Sequence, residues 1–364
     1  MIAPSKANEP QDRRQQDSTL LSKATVIGVF AVTFAVVATG LSLSLRALEP
    51  KPDLLVLSPK LEYFQDNHDR FNTVFLGTSR TFYHVVPEAL ETGAELNGCP
   101  GVSAFNFGVF GLNGAEQDWL LEQILEIEDL DLDLLVIEDP LPAERKLGDV
   151  TSERARFFHQ PKLYRAYMED ILSFPESRPK HAFRSGVFSY GVAYDLSGVG
   201  RLSKAVFPPA TQPQKHSFDF SNEGFEALGS IMTANIESRR ADFESKPSAF
   251  SRNLEQYAKG PEAETSQRAQ YHIQRLERIR NAGILPGLFI SPDTAELRRT
   301  SWVGKAVADQ RPDFLTLNYN IPEEFPGLFE RSQWFDFSHL NQEGAYTLSL
   351  SIGERICADL KARN

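Results

Sequence analysis

Two short segments hold residue types that serve nucleophilic catalysis. One reads Gly77-Thr78-Ser79-Arg80 and follows a short apolar run; the other reads Phe335-Asp336-Phe337-Ser338-His339-Leu340-Asn341. A serine at a strand-to-helix turn sits at a helix N-terminus, where developing negative charge is favoured. The same position suits an ordinary N-cap, and the tetrapeptide alone fits the cap better than the nucleophile. An Asp and a His three apart in a tight turn let the carboxylate hold one imidazole nitrogen while the other faces the site. That is the orientation a serine nucleophile requires of its base. A helix-capping pair explains Asp336 and His339 equally well. The G-x-S-x-G elbow of the α/β-hydrolases is not met, because Thr81 occupies its last position.

A third segment, Asn106-Phe107-Gly108-Val109-Phe110-Gly111-Leu112-Asn113-Gly114, combines a strand end with spaced glycines. The spacing is GxxGxxG rather than the dinucleotide fingerprint G-x-G-x-x-G. The acidic residues about 20 positions on (Asp129, Asp131, Asp133) precede a strand instead of ending one, so a nicotinamide or flavin site is a weak alternative. Glycines here also let backbone N–H groups approach a small anion, as in an oxyanion hole. Arg80, Asn106, Asn113 and Asp139 are candidate substrate-lining residues, although a capping or solvated role suits Asp139 better. His68, His84, His159, His181, His216 and His272 show no metal-ligand spacing, and no metal or cofactor is expected.

The elements that must position these residues follow from apolar periodicity. The 364 residues are 41% hydrophobic and 24% charged, which suits a folded chain, and the net charge of −11 disfavours nucleic acid as a partner. Two cysteines, Cys99 and Cys357, exclude a disulfide-dense scaffold and leave a single disulfide open. Short buried strands are predicted at 73–76, 104–107, 134–137, 285–290 and 314–317. Helices are predicted at 81–91, 114–127, 266–282 and 342–362. This alternation predicts an α/β fold with a parallel five-stranded sheet covered on both faces. Ligands of such sheets bind beyond the carboxyl ends of the strands, where Ser79, the glycine segment and Asp139 all fall. Residues 145–260 lack a convincing strand and read as a mainly helical insertion, with loops at 175–179 and 207–213; a lid and a plain packing elaboration suit it equally.

One run departs from the average. From Ala24 to Leu45 the chain carries no charge and, as a helix, spans about 33 Å, the thickness of a bilayer core. A polar leader (1–23) precedes it and a Pro-containing stem (46–69) follows. The expected organisation is an uncleaved signal anchor, then a globular body over 70–364. Flanking cations (Arg13, Arg14 and Lys23 against Arg46, Lys51 and Lys60) nearly balance, and an N-inside anchor is the simplest orientation. In a bacterium this would put the body in the periplasm or outside the cell.

The order Gly-Thr-Ser, Asn-x-Gly-x-x-Gly, Asp-x-x-His-Leu-Asn-x-x-Gly resembles the SGNH (GDSL-type) hydrolase superfamily over about residues 70–364, with FDFSHLNQEGA the most specific block. The resemblance implies a three-layer, flavodoxin-like fold. It implies Ser79 as nucleophile, His339 as general base, Asp336 as its orienting partner, and Ser79 and Gly111 as oxyanion N–H donors. The family's further oxyanion Asn, just after the third strand, is absent from Ile137-Glu138-Asp139-Pro140. Loss of such a donor costs about 10²–10³ in rate; Asn113 is a candidate replacement. With a membrane anchor, the motif set is similar to proteins that add or remove acyl groups on cell-envelope carbohydrate or lipid, working with envelope-biosynthesis partners. The alternative is a catalytically silent binding or assembly protein of such a system.

Overall fold

The computed structural model describes residues 11–48, 54, 56–140, 152–158, 163–174, 177–196, 219–230, 233–255, 257–261, 265–295 and 297–363. Residues 1–10 of the leader, 49–53 and 55 of the stem, and the predicted loop at 207–213 lie outside them. Five apolar runs pair in parallel as β1 (Thr73–Gly77), β2 (Ala104–Gly108), β3 (Leu134–Glu138), β4 (Leu285–Ile290) and β5 (Leu315–Asn318), in the order β2-β1-β3-β4-β5. Each lies within one residue of its predicted bounds. This is a doubly wound order, with its topological switch between β1 and β3. The register Gly77↔Gly108 and Leu76↔Ile137 brings the carboxyl ends of β2, β1 and β3 side by side.

Side chains alternate across the sheet, as strand periodicity requires. Val74, Leu76, Phe105, Phe107, Leu135 and Ile137 face one core, with α2 (Leu57–Asn67), α5 (Gly114–Leu125) and α11 (Thr265–Asn281) against them. Phe75, Val136, Phe289 and Leu317 face the other, with α4 (Pro87–Leu96) and α13 (Gln342–Arg363). The helix predicted at 81–91 is two pieces, α3 (Ser79–His84) and α4, because Pro87 cannot continue the first and starts the second. Between β3 and β4 the described residues form α6 (Glu153–Phe158), α7 (Tyr164–Ser173), α8 (Arg178–Leu196), α9 (Ala234–Ser245) and α10 (Pro247–Leu254), with no strand among them. α12 (Leu297–Gln310) links β4 to β5.

Two sequence expectations change. Part of the supposed stem is α2, with Leu57, Lys60 and Phe64 fully covered, so the body begins before residue 70. Of the prolines and charges that suggested a linker, Pro59 lies in the first turn of this helix and Lys60, Glu62 and Asp66 lie along it, beside a narrow apolar stripe. The N-terminal helix α1 (Gln11–Leu48) contains the apolar run, and Val26, Ile27, Val29, Phe30 and Phe34 are exposed on it. Among the described residues, however, no helix is long and apolar enough to cross a membrane. Side chains are described continuously only over 25–41, short of the roughly 20 residues that a span uses. The span expected over Ala24–Leu45 is therefore not a feature of the described fold.

Cys99 and Cys357 form a disulfide with their Cα atoms 5.6 Å apart, closing a loop of 258 residues in sequence separation. It ties the end of α4 to α13, two helices in direct backbone contact: a Cβ at Gly93 would overlap the carbonyl of Leu350, and one at Gly353 that of Leu90. Cys357→Ser is expected to destabilise the fold by about 2–5 kcal/mol. The check is the denaturation midpoint, with Cys99→Ser and reduction of the wild type giving the same loss.

Candidate active site

Ser79 is the first residue of α3 and partly exposed, beyond the carboxyl end of β1. Its Oγ lies 2.9 Å from His339 Nε2. His339 Nδ1 lies 3.0 Å from Asp336 Oδ1 and 3.2 Å from Oδ2. The two segments singled out in the sequence thus converge, although 260 residues separate Ser79 from His339. The N-cap role falls to Thr78, whose hydroxyl accepts from Arg80 N–H, and this leaves the Ser79 hydroxyl for the imidazole. Asp336 shapes its own turn: Oδ1 accepts the backbone N–H groups of Ser338 and His339 at 2.8 and 2.9 Å. Burial alone would push the Asp336 carboxyl up; the hydrogen bond and charge of His339, then the Arg239 guanidinium and the Ser338 N–H, outweigh it and hold it below its ordinary value.

The turn that carries Ser79 is built on Glu138, at the end of β3. This buried carboxylate accepts from Thr78 N (2.7 Å), Thr78 Oγ1 (2.9 Å), Thr81 N (3.2 Å), Thr81 Oγ1 (2.7 Å) and Arg80 Nε (2.7 Å). Only glycine fits at position 77, since a Cβ there would overlap Thr81 Oγ1 and Glu138 Oε2. Arg80 is not a substrate-lining residue: it is buried, and its guanidinium pairs with Glu138 and Asp293 and donates to the Asp139 carbonyl. Asn106 is likewise internal. Its amide donates to the carbonyls of Thr81, Phe82 and Val85, fixing α3 against β2, and its Oδ1 accepts from Gly108 N. Buried Lys60 of α2 donates to the carbonyls of Asn106 and Gly108 from the other side.

Gly111 has φ +60°, a left-handed conformation that glycine adopts at least cost. Its neighbour Phe110 packs on Phe82 and Tyr83 of α3, with ring centroids 4.5 and 5.4 Å apart, and Tyr83 meets the His339 ring edge-on at 5.7 Å. The glycine turn therefore shares a rim with Ser79 and His339. Arg154 of α6 pins it, donating to the Phe110 carbonyl and, at 2.7 Å, to Glu116. Neither Ser79 N–H nor Gly111 N–H donates to a carbonyl among the described residues.

Asn113 and Asp139 do not join this site. Asn113 is the N-cap of α5, in a capping box with Glu116, and lines a separate cavity with Tyr167, Asp170 and Phe174. Asp139 is buried and holds Arg268 at 3.0 Å and His272 at 2.8 Å. The carboxylate after β3 thus anchors α11 to the sheet.

Sequence reasoning missed one residue at the triad, Arg239, and favoured a packing role for another, His84. Arg239 of α9 puts Nη2 2.5 Å from Asp336 Oδ2 and 2.6 Å from His339 Nδ1. Nothing in the insertion marks it, because no motif surrounds it and 100 residues separate it from His339. His84, at the end of α3, accepts the Leu340 backbone N–H on Nε2 at 3.0 Å and contacts Ser291 Oγ through Nδ1 at 2.6 Å. It thereby fixes the residue after His339. The helical position of His84 five residues beyond Ser79 was the available signal.

His84 and His272 give the fold a pH dependence. Burial, then the charges of His339 and Arg80, push His84 well below its ordinary value. Burial pushes His272 down to about 4, against the pull of Asp139 and with the push of Arg268. Both stay neutral in the folded chain where the unfolded chain protonates near pH 6.5. Their stabilisation is complete above that pH and is lost as the pH falls towards the folded values. The thermal midpoint is expected to fall between pH 7 and 5, and His272→Gln to fall less steeply over that interval.

Among the described residues, no group of His, Cys, Asp and Glu is arranged to hold a metal ion. No family model and no curated protein matches the chain.

Proposed function

We propose that the chain is an SGNH-type serine esterase or O-acyltransferase, anchored in a membrane and acting on ester groups of cell-envelope carbohydrate or lipid. The observation that carries this is the contact series Ser79 Oγ, His339 Nε2, Asp336 carboxylate, beyond the carboxyl ends of a sheet ordered 2-1-3-4-5. Ser79 attacks the ester carbonyl, forming the C–O bond of a tetrahedral intermediate as His339 takes the hydroxyl proton. Ser79 N–H and Gly111 N–H receive the oxyanion. The intermediate expels the alcohol, which takes the proton from His339, and leaves an acyl-serine. Water or an acceptor hydroxyl then attacks the acyl-serine and returns the proton by the same path. The anchor is supported by the uncharged run from Ala24 to Leu45 and the exposed apolar face of α1. A body in an oxidising compartment outside the inner membrane is supported by the Cys99–Cys357 disulfide.

A second reading, a silent binding or assembly protein, draws on the missing Asn after β3 and on Arg239 occupying the His–Asp pair. Labelling of the detergent-solubilised full chain with a fluorophosphonate probe separates the two. The esterase reading expects a covalent adduct that maps to Ser79 and is absent from Ser79→Ala. A folded wild type that takes no label, together with an unlabelled Arg239→Ala, would favour the silent protein.

A further inference from the structure

Arg239 reaches the triad in a way that fixes the protons there. Its guanidinium is always charged and only donates. With Nη2 at 2.6 Å, the contact is attractive when His339 Nδ1 presents a lone pair to it, in competition with Asp336 Oδ1 at 3.0 Å from the same nitrogen. A neutral imidazole has one N–H and one lone pair, so the proton then sits on Nε2 and is donated to Ser79 Oγ at 2.9 Å. That tautomer cannot take the proton of Ser79. The tautomer that can has its N–H on Nδ1, donated to Asp336 Oδ1 at 3.0 Å, and Arg239 at the same nitrogen opposes it.

We propose that Arg239 is a tautomer lock: docked, it holds His339 in the form that cannot act as base, and withdrawal of α9 releases the site. The proposal rests on the acyl-transfer reading of Ser79. The way α9 is attached suits the role. Phe243 is its single fully buried residue among those described, and the Arg239 side chain is 39% exposed. The rest of its hold is polar: Arg240 donates to the Trp334 and Phe335 carbonyls at 3.0 Å each, and Arg331 donates to the Phe243 carbonyl at 2.8 Å. An element held by few buried contacts opens at low cost. When it opens, Asp336 keeps its bonds to the Ser338 and His339 N–H groups, so the turn carrying His339 stays in place. The Nδ1 proton then goes to Asp336, and Nε2 faces Ser79 with its lone pair.

The test uses the full chain in detergent. Fluorophosphonate labelling rates are compared for wild type, Arg239→Ala, Arg239→Gln and Arg240→Ala, the last loosening α9 without touching the triad. The His339 tautomer is read from imidazole ¹⁵N shifts, assigned by difference with His339→Gln. Removal of the lock is expected to accelerate labelling by about tenfold or more, as the competent fraction rises. The proton is expected on Nε2 in the wild type and on Nδ1 in Arg239→Ala. All labelling disappears when Ser79→Ala is added. Labelling of the Arg239 variants at or below the wild-type rate, with an unchanged tautomer, overturns the lock and leaves the serine chemistry standing. A tautomer that switches in protein that never labels upholds the lock and overturns the acyl-transfer reading.

Discussion

His339→Ala is expected to lower the single-turnover rate on an activated ester such as 4-nitrophenyl acetate by about 10⁴–10⁶-fold, and Asp336→Asn by about 10⁴-fold. The first removes the only group within hydrogen-bond distance of the Ser79 hydroxyl among the described residues, leaving an un-ionised alcohol as nucleophile. The second is the sharper test because it changes so little. The Asn carbonyl keeps the Ser338 and His339 N–H bonds that Asp336 Oδ1 makes, so the turn and the imidazole stay where they are. Its amide nitrogen then replaces Oδ2 near His339 Nδ1, displaces the Arg239 guanidinium that Oδ2 holds at 2.5 Å, and donates to Nδ1. Nδ1 is driven to its lone-pair form and the base is lost by tautomer alone. The measurements are acyl-enzyme formation in a single turnover and thermal midpoints of the variants. A rate within tenfold of wild type in a folded Asp336→Asn protein would remove Asp336 from the chemistry. Restoration of that rate by Arg239→Ala would not be expected, since the amide continues to donate to Nδ1.

The first four strands were legible because each is a short apolar run closed by a residue that ends pairing or follows it closely: Gly77, Gly108, Pro140 and Pro292. α12 was not. LRRTSWVGKAVADQ carries its few apolar residues among charges, and its helix forms by covering Leu297, Val303 and Val307 against the sheet. The convergence of Ser79, Asp336 and His339 was suggested by local patterns, a strand-end serine and an Asp-x-x-His. Arg80, Asn106 and Asp139 were misread for a common reason. Charge and polarity mark a residue as functional only if its partner is solvent or ligand, and their partners are Glu138, Asp293, Arg268 and backbone carbonyls distant in sequence. Arg239 lacked a local pattern as well, and its role follows only from the tertiary contact.

Arg80→Ala is expected to cost about 3–5 kcal/mol of stability, a large share of what holds an ordinary domain together. Arg80 is the buried cation between Glu138 and Asp293. Burial works against its charge, and the Glu138, Asp293 and Asp139 carboxylates outweigh that and raise its pKa. Deleting it leaves two carboxylates in the interior without that partner, at Nε to Oε1 2.7 Å and Nη1 to Oδ2 2.9 Å in the intact pair. Glu138→Gln probes the other end: an amide supplies one acceptor oxygen where five donor contacts now converge, and its NH₂ faces donors. The same network positions Ser79, since Ser79 lies between Thr78 and Arg80, and both are bound to Glu138. A displacement of about 1 Å at Ser79 lowers the rate by about 10²-fold. Surviving Arg80→Ala protein should therefore show both a lower denaturant midpoint and slower acylation. A substrate-binding arginine would behave differently, raising KM with stability intact. The two outcomes separate a buried support of the nucleophile from the exposed ligand contact that its place beside Ser79 suggests.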